Sequence, residues 1–380
     1  MSSEKTSAPR WIAGIEPAAE VLKMNGTQVL EMECREQPAR LRELITTYAE
    51  DDGVRRQLCA LKGIVERPGP VLWLGMGGSL CSSYAGSVLM QTRGRMAFSL
   101  DAGEWLHYGV SAWGQAAGSV VLTTSGESAE IVELFKRGAD WAMGLICNNE
   151  ASKCWGLVGT EEAELSGGAS NRMRLPILAG PEYGNATKTY TNATAAAIIA
   201  ASEMMGVAWE ADAERALAVV TQELDGIFAL RGEMDAFCAH AANIELVGRG
   251  AGYGAAVMGA LTIREMSGFR AAAHTGAGFK HGPNLDVDGT HVAMIFALGR
   301  AAGLGFKLAD ECVRRGGKVV LVSGEERERT GQVFPVRVSA VAEPWEGVTA
   351  ILAAQALTLA MVERMGCRLP PRFQYGVMEQ

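Results

Sequence analysis

The chain has 380 residues, more than one hydrophobic core usually holds, so two domains are expected. Its 48% hydrophobic residues and 46 glycines are typical of a well-packed globular protein with many tight turns, which excludes a disordered or fibrous chain. A net charge of −8, without a basic cluster interleaved with aromatic residues, argues against a nucleic-acid surface.

The N-terminal segment and the cysteines favour a cytoplasmic protein. The first residues lack a cationic stretch followed by an apolar one, so no signal peptide is predicted, and no apolar segment resembles a membrane span. The eight cysteines form no Cys-x-x-Cys pair, and the closest two, Cys147 and Cys154, have no histidine nearby. Reduced, mostly buried thiols are expected, and neither a metal nor a cofactor is predicted.

The predicted elements begin with a packing helix over residues 31–50, which has an apolar side at helical period. A strand at 71–74 then leads through a Gly-rich turn into a helix ending near Thr92. A second strand at 119–123 leads through a polar turn into a helix starting near Ala129. This alternation predicts an α/β fold with a parallel sheet covered by helices on both faces.

The rest of the chain continues the same pattern. The further predictions are a helix over 193–241 with breaks at Gly206 and Gly226, strands at 318–323 and 333–338, a helix from 347 to 365, and a short aromatic tail from Leu369. We place the domain boundary within 226–243. The predicted division is an N-terminal helical segment at 1–50, a first domain at 51–230 and a second at 231–380.

An internal repeat supports two similar domains. Gly75 and Gly77, which follow the first strand, correspond to Gly248 and Gly250, and each pair is separated by 173 positions. Gly86, on the following helix, lies the same 173 positions before Gly259. Two unrelated Gly-rich turns would not share this spacing, so the sequence indicates a duplicated α/β domain.

The first Gly-rich turn continues with Gly78 and Ser79 into a helix, where backbone N–H groups can hold an anion. Its spacing is not the G-x-G-x-x-G of a dinucleotide site, and no acidic residue ends the next strand in the expected manner. A nucleotide-dependent oxidoreductase is therefore disfavoured. By itself this turn is a weak signal, since it also serves tight helix–strand packing.

The turn after the second strand is more specific, because four hydroxyl residues surround one glycine. They are Thr123, Thr124, Ser125 and Ser128. Hydroxyl donors at the start of a helix can hold a phosphate without lysine. The alternative is an ordinary N-cap by Ser125 or Ser128, and for the whole group an anion site is favoured.

A carboxylate and an imidazole follow in the second half of the chain. Glu265 lies late on the helix after the second Gly-rich turn, and His281 lies sixteen residues further on in a glycine-broken loop. Moving a carbonyl between C1 and C2 of a sugar needs a base and a ring-opening acid, and these two side chains suit those tasks. The alternative is a surface glutamate and a histidine that caps a turn.

Five motifs in order carry a resemblance to a known family. They are LGMGGS at 74–79, TTSGES at 123–128, YGNATKTYT at 183–191, GALTIRE at 259–265 and FKHGP at 279–283. The chain from about residue 37 to its end resembles the sugar isomerase (SIS) family, above all the two-domain isomerase half of glucosamine-6-phosphate synthase and the related deaminases and deglycases. The resemblance implies two flavodoxin-like domains and a homodimer with its active site at the subunit interface.

The resemblance also implies roles for individual residues. Thr123, Ser125 and Ser128 would hold the phosphate with help from the backbone around Thr124, Gly78 and Ser79 would contact the sugar, and Asn185 and Ala186 would line the pocket through their backbone. Glu104 aligns with an acidic family position near the sugar. Glu265 would be the base at C1–C2, and His281 the ring-opening acid supplied by the neighbouring subunit.

Departures from the synthase pattern narrow the function. We expect no glutaminase domain before residue 37. Thr262 replaces a lysine of that pattern, Gly278 replaces a glutamate, and the C-terminal tail lacks the Schiff-base lysine. We expect a phosphosugar isomerase or deaminase acting at C1–C2 of a hexose phosphate, with an amino sugar phosphate favoured. A fructosamine-6-phosphate-type deglycase and, in another class, a non-catalytic phosphosugar sensor remain alternatives.

Overall fold

The computed structural model describes residues 19–138, 140–158 and 171–368. The strands in these ranges are β1 Val71–Gly75, β2 Ala97–Asp101, β3 Gly118–Thr123, β4 Met143–Cys147, β5 Arg172–Pro176, β6 Asn243–Gly248, β7 Ala271–Thr275, β8 His291–Ala297, β9 Lys318–Ser323 and β10 Val333–Arg337. The α-helices are α1 Gly26–Glu50, α2 Asp52–Ala60, α3 Lys62–Val65, α4 Gly78–Thr92, α5 Ala102–Glu104, α6 Ala129–Arg137, α7 Lys153–Leu157, α8 Lys188–Met205, α9 Glu210–Ala229, α10 Arg231–Cys238, α11 Ala251–Ser267, α12 Gly276–Lys280, α13 Ala302–Arg314, α14 Glu346–Thr349 and α15 Ile351–Met365.

The strands form two five-stranded sheets, and both are parallel throughout. The first has the order β2-β1-β3-β4-β5, and the second, read from its opposite edge, has the order β7-β6-β8-β9-β10. Numbered within each sheet, both orders are 2-1-3-4-5, the order of flavodoxin-like domains. The predicted fold, two tandem domains of this type with helices on both faces, is confirmed. Strand β2, which is not among the predicted elements, ends at Asp101, so the expectation that no acidic residue ends the strand after the first Gly-rich turn is wrong.

The repeat extends to backbone angles and packing. Gly77 and Gly250, which precede α4 and α11, have φ of 53° and 55°, a region that side-chain-bearing residues rarely adopt. A Cβ on Gly86 would lie 2.6 Å from the ring of Trp73, and one on Gly259 would lie 2.7 Å from Leu246. Trp73 and Leu246 are themselves 173 positions apart. In both units, a glycine at the corresponding position therefore lets the helix pack closely against the strand.

The two sheets share one large core. Its buried members include Trp73 and Ala97 from the first sheet, and Leu246 and Met294 from the second. Smaller separate cores cover the outer faces, around Phe135 on the first sheet and around the second-sheet residues that contact α13. The inner helices of both units therefore pack against each other, which brings the end of α11 close to the first sheet.

The long helical segment differs from its prediction at one of two glycines. Helix α8 ends at Gly206 with φ of 65°, as expected for a C-terminal glycine. The predicted break at Gly226 is wrong, because α9 runs through it to Ala229. A Cβ at Gly226 would meet nothing within 4 Å, so neither packing nor a turn requires glycine there.

One helical segment has the length and apolar composition of a membrane span. It covers Glu346–Met365, with a mean hydropathy of 1.3, and 83% of that window is buried inside the protein. A core helix of a folded domain accounts for this segment. The predicted C-terminal tail from Leu369 lies outside the described residues, and the predicted domain boundaries after residues 50 and 230 remain predictions.

Candidate active site

A cavity of about 290 Å³ lies at the carboxyl edge of the first sheet, against helix α11 of the second unit. Nine of the residues predicted from the sequence line it: Gly78, Ser79, Thr123, Thr124, Ser125, Ser128, Asn185, Ala186 and Glu265. Ligands of doubly wound sheets bind at this edge, where strands end and helices begin. The structure therefore brings the predicted anion corner and the predicted base into one cavity.

The corner between β3 and α6 is built by its own hydroxyls. Thr123 Oγ1 accepts a hydrogen bond from the Gly126 N–H at 3.1 Å, and Ser125 Oγ accepts one from the Glu127 N–H at 3.2 Å. The Ser128 side chain makes no capping bond to the helix that it precedes. The alternative of an ordinary Ser128 N-cap is therefore not what the structure shows. The first N–H groups of α6 remain available to an anion.

Gly126 and Glu127 complete the corner. Gly126 has φ of 63°, and a Cβ there would lie 2.2 Å from Ser152 Oγ, so only glycine fits this turn. The Glu127 carboxylate points away from the hydroxyls: it accepts the Lys153 N–H at 2.9 Å and pairs with Lys153 Nζ at 3.0 Å. The acidic residue within the turn is thus turned outward and neutralised, which leaves the corner favourable to an anion.

Glu265 reaches the cavity from the last turn of α11. Its carboxylate accepts a hydrogen bond from the side-chain amide of Asn185, whose own Oδ1 accepts the Ala186 N–H at 2.5 Å. The sequence interpretation gave Asn185 only a backbone role in the pocket, and the structure adds this side-chain contact. An amide donor favours the ionised form of a carboxylate and fixes its direction.

Two buried glutamates hold the loop that carries Asn185. Glu33, on α1, accepts hydrogen bonds from the backbone N–H groups of Tyr183 and Gly184, and Glu182 accepts from the N–H and hydroxyl groups of Thr187. Burial, and next the neighbouring Glu182 charge, raises the pKa of Glu33 well above its usual range. The sequence did not single out either residue, because their role depends on contacts between distant segments.

The cavity also has an apolar wall that the sequence analysis missed. Met258 and Leu261 lie on the same face of α11 as Glu265, and Met76 and Ile131 contribute from the first unit. Spacings of three and four residues put 258, 261 and 265 on one helical face, so the periodicity of α11 could have revealed this wall. No lysine or arginine is among the described residues that line the cavity.

Two predicted site residues lie outside this cavity within the described chain. Glu104 is exposed at the end of α5, and His281 is exposed just after α12, where its N–H donates to Gly278 O at 3.2 Å. The expectation that His281 comes from a neighbouring subunit remains a prediction. His274, near it in sequence, is tied to Glu245, with Nε2 and Oε2 2.7 Å apart.

The matching corner of the second unit cannot hold an anion in the same way. Gly299 lies 173 positions after Gly126 and has φ of 57°, but the hydroxyl positions 123, 125 and 128 correspond to Phe296, Leu298 and Ala301. The Glu343 carboxylate fills the turn instead, accepting the Arg300 N–H at 2.5 Å. The duplication therefore kept the turn in both units and the hydroxyls in one.

Fold and cavity together define a duplicated α/β protein with a hydroxyl-lined cavity at the edge of its first sheet. Residues 238–364 match the SIS domain family. A glutamine–fructose-6-phosphate aminotransferase of Bacillus thuringiensis is 22% identical over 90% of this chain and 56% of its own length. The chain spans about half the length of the curated relatives it matches, or less.

Two solved structures share the fold over nearly their whole length. The C-terminal domain of glucosamine-fructose-6-phosphate aminotransferase from Francisella tularensis has a TM-score of 0.76 and 18% identity, with 93% of this chain and 99% of that chain covered. Tagatose-6-phosphate ketose/aldose isomerase from Escherichia coli has a TM-score of 0.72 and 19% identity, with 96% and 99% covered. The chain therefore shares the fold of these structures, and its second unit is similar to the SIS domain family.

Proposed function

We propose that the protein acts on a six-carbon sugar phosphate at C1–C2, as an isomerase or an amino sugar phosphate deaminase. One observation carries the proposal: the hydroxyl corner at 123–128 and the Glu265 carboxylate line the same cavity. Its volume lies at the lower end of small-molecule sites, which suits a hexose phosphate better than a dinucleotide.

The corner would hold the phosphate. Ser125 and Ser128 supply hydroxyl donors, and the first turn of α6 supplies backbone N–H groups and the positive end of its dipole. No cation is required at this point, because the donors converge on one tetrahedral group. The phosphate would then fix the far end of an open-chain sugar, so that C1 and C2 lie toward α11.

Glu265 would move the proton. Its carboxylate removes the proton from C2 of the aldose form and the electrons shift toward the carbonyl, which gives an enediol or, with an amino sugar, an enolamine. The carbonyl oxygen takes up a proton as this intermediate forms. The same carboxyl then returns the proton to C1 while the C2 hydroxyl loses its own proton, which gives the ketose; with an amino sugar, the C2 imine formed instead is hydrolysed by water and ammonia leaves. Asn185 keeps the carboxylate directed into the cavity. His281 of the second subunit of a homodimer would open the ring.

The absence of a lysine among the described lining residues favours chemistry without a Schiff base to the protein. A substrate that already carries nitrogen, or plain aldose–ketose exchange, fits this lining. Lys188 lies three residues after Asn185, but its buried Nζ is paired with Glu36 and is therefore not free to form a Schiff base. A fructosamine-6-phosphate-type deglycase shares the proton transfer and is the nearest alternative. We place the reaction in the cytoplasm, where phosphosugars occur.

A panel of sugar phosphates tests the function. Glucosamine 6-phosphate is assayed for ammonia release, and hexose 6-phosphates for aldose–ketose exchange. We expect one of the two activities, and its loss by at least about a hundredfold in Glu265→Gln, since removing a general base typically costs that much. Glu214→Gln, an exposed glutamate on α9, is the matched control and should keep full activity.

The same panel separates the catalytic proposal from a sensor. If Glu265→Gln keeps full turnover, Glu265 is not the base. If no sugar phosphate reacts while several raise the melting temperature, the protein binds phosphosugars without turnover and the proposal of an enzyme is wrong.

A further inference from the structure

A second cavity, of about 500 Å³, lies at the opposite, amino edge of the second sheet. It is formed where β6 and β7 begin and where α11 ends, and it shares no lining residue with the cavity at Glu265. Its volume is within the range of small-molecule sites. Its lining includes Arg264, Arg270, Arg368, Glu245 and Phe269.

Three arginines line this cavity, and none of them pairs with a carboxylate of the described residues. Within the described ranges, no ion pair involves Arg264, Arg270 or Arg368, whereas the exposed Arg300 and Arg364 each contact a carboxylate. The chain as a whole carries a net charge of −8, so acidic side chains outnumber basic ones. Three neighbouring arginines without an ion pair are therefore unusual in a chain that has more acidic than basic side chains.

Among the described residues that line the cavity, one carboxylate is present, and it is already engaged. Glu245 is buried, and its two oxygens accept from Asn243 Nδ2 at 2.8 Å and contact His274 Nε2 at 2.7 Å. The carboxylate is thus held by the sheet and is not paired with any of the three arginines. The local balance stays positive.

The walls leave room for a ligand at the guanidinium groups. Ala271 and Ala272 at the start of β7 are small, and Gly268, with φ of 69°, ends α11 beside the Arg368 side chain. The Arg368 N–H donates to Met266 O at 2.7 Å, which fixes this arginine at the helix end. The half-buried ring of Phe269 offers one flat apolar surface.

We propose that this cavity is an anion-binding site for a small phosphorylated molecule, separate from the cavity at Glu265. Planar guanidinium groups bind phosphate oxygens in pairs, and three of them can bind two tetrahedral groups or one group from several sides. Phe269 would contact the uncharged part of the molecule. The site does not depend on the proposed reaction.

Pyrophosphate is the probe, and its binding is measured by calorimetry on the full chain at low salt. The protein carries Ser125→Ala and Ser128→Ala, so that the hydroxyl corner does not contribute. We expect one remaining site, weakened about tenfold by Arg270→Gln and further by adding Arg368→Gln, because each charge-assisted contact contributes roughly that factor. Raising the ionic strength should weaken it as well.

Arg215→Gln is the matched control, since Arg215 is an exposed arginine on α9, away from both cavities. It should leave the affinity unchanged. Melting temperatures without ligand show that each variant is folded. No binding in the corner-deficient protein, or equal affinities in Arg270→Gln and Arg215→Gln, would overturn the proposal.

Discussion

At the residue scale, the contact between Asn185 and Glu265 joins the two halves of the chain at the cavity of the proposed reaction. Asn185 lies on a loop of the first unit, and Glu265 on a helix of the second. A carboxylate on the surface of a helix can adopt several rotamers, and the amide selects one. The precision of the proposed proton transfer therefore depends on a side chain that does not itself react.

Asn185→Ala is expected to lower kcat by about ten- to a hundredfold and to change KM much less, because the phosphate contacts at the corner remain. Steady-state kinetics with the active substrate measures both constants. Asn192→Ala does not serve as a control, since that amide is buried and donates to Arg40 O and Ile177 O. The half-buried Asn149 is also unsuitable because it donates to Ser125 O.

Gln222→Ala, a polar change on the exposed side of α9, is a better control and should leave both constants unchanged. If Asn185→Ala raised KM by ten- to a hundredfold and left kcat unaltered, a positioning role would be contradicted.

Most of the cavity could be predicted from residue types, because hydroxyls around a glycine after a strand have few other uses together. The side-chain role of Asn185 could not, since it requires the loop of one unit to meet the helix of the other. The same holds for Glu33, which lies 150 residues before the Tyr183 N–H that it accepts.

At the element scale, the corner of the second unit shows which side chains occupy the turn where the hydroxyls of the first unit have no counterpart. Glu343 fills the turn at Gly299, and Glu346 lies beside it with Oε2 buried and unpartnered within the described chain. Burial, and next the charge of Glu343, raises the pKa of Glu346 to about 7. The folded protein therefore keeps a proton that the unfolded chain releases at lower pH.

This arrangement predicts how stability depends on pH. The penalty is absent below the unfolded pKa of Glu346 and is complete above its folded pKa, so stability falls as the pH rises from about 5 to about 8. Glu346→Gln removes that penalty and should gain about 2–3 kcal/mol over the natural protein at about pH 8, and little at about pH 5.

Urea unfolding at the two pH values measures the difference. Glu326→Gln, at an exposed carboxylate, is the control. A constant difference between Glu346→Gln and the natural protein at both pH values would contradict the account.

Element positions were predictable where a residue type is required by the backbone. Gly206 ends α8 because the left-handed conformation at this position favours glycine. The strands at Lys318–Ser323 and Val333–Arg337 coincide with apolar segments of the sequence. Gly226 misled the prediction because a glycine in a helix is tolerated when packing holds the helix. Sequence alone does not show that packing.

At the scale of the whole molecule, duplication gives two sheets whose inner helices share a core, and this shared core places Glu265 over the corner of the other unit. The spacing of 173 residues predicted the duplication, and the strand orders agree with it. The relation between the two units was not predictable, because no local pattern specifies which helices pack together.

His281 does not line the cavity of its own chain, so its proposed role depends on the assembly of two chains. If a second subunit supplies it, co-expression of Glu265→Gln with His281→Ala should restore activity to roughly a quarter of the natural level, since half of randomly formed dimers are mixed and each has one intact site. Each variant alone should be inactive. The assay is turnover of the co-purified mixture, and activity no higher than that of the single variants would show that the two residues do not meet across subunits.

The most direct measurement is a crystal structure of the full chain with an open-chain six-carbon sugar-alcohol phosphate. The account predicts the phosphate within hydrogen-bond distance of the Ser125 and Ser128 hydroxyls, with C1 and C2 next to the Glu265 carboxylate. A phosphate bound elsewhere while the corner faces solvent, or a Glu265 side chain directed away from the sugar in every subunit, would contradict it.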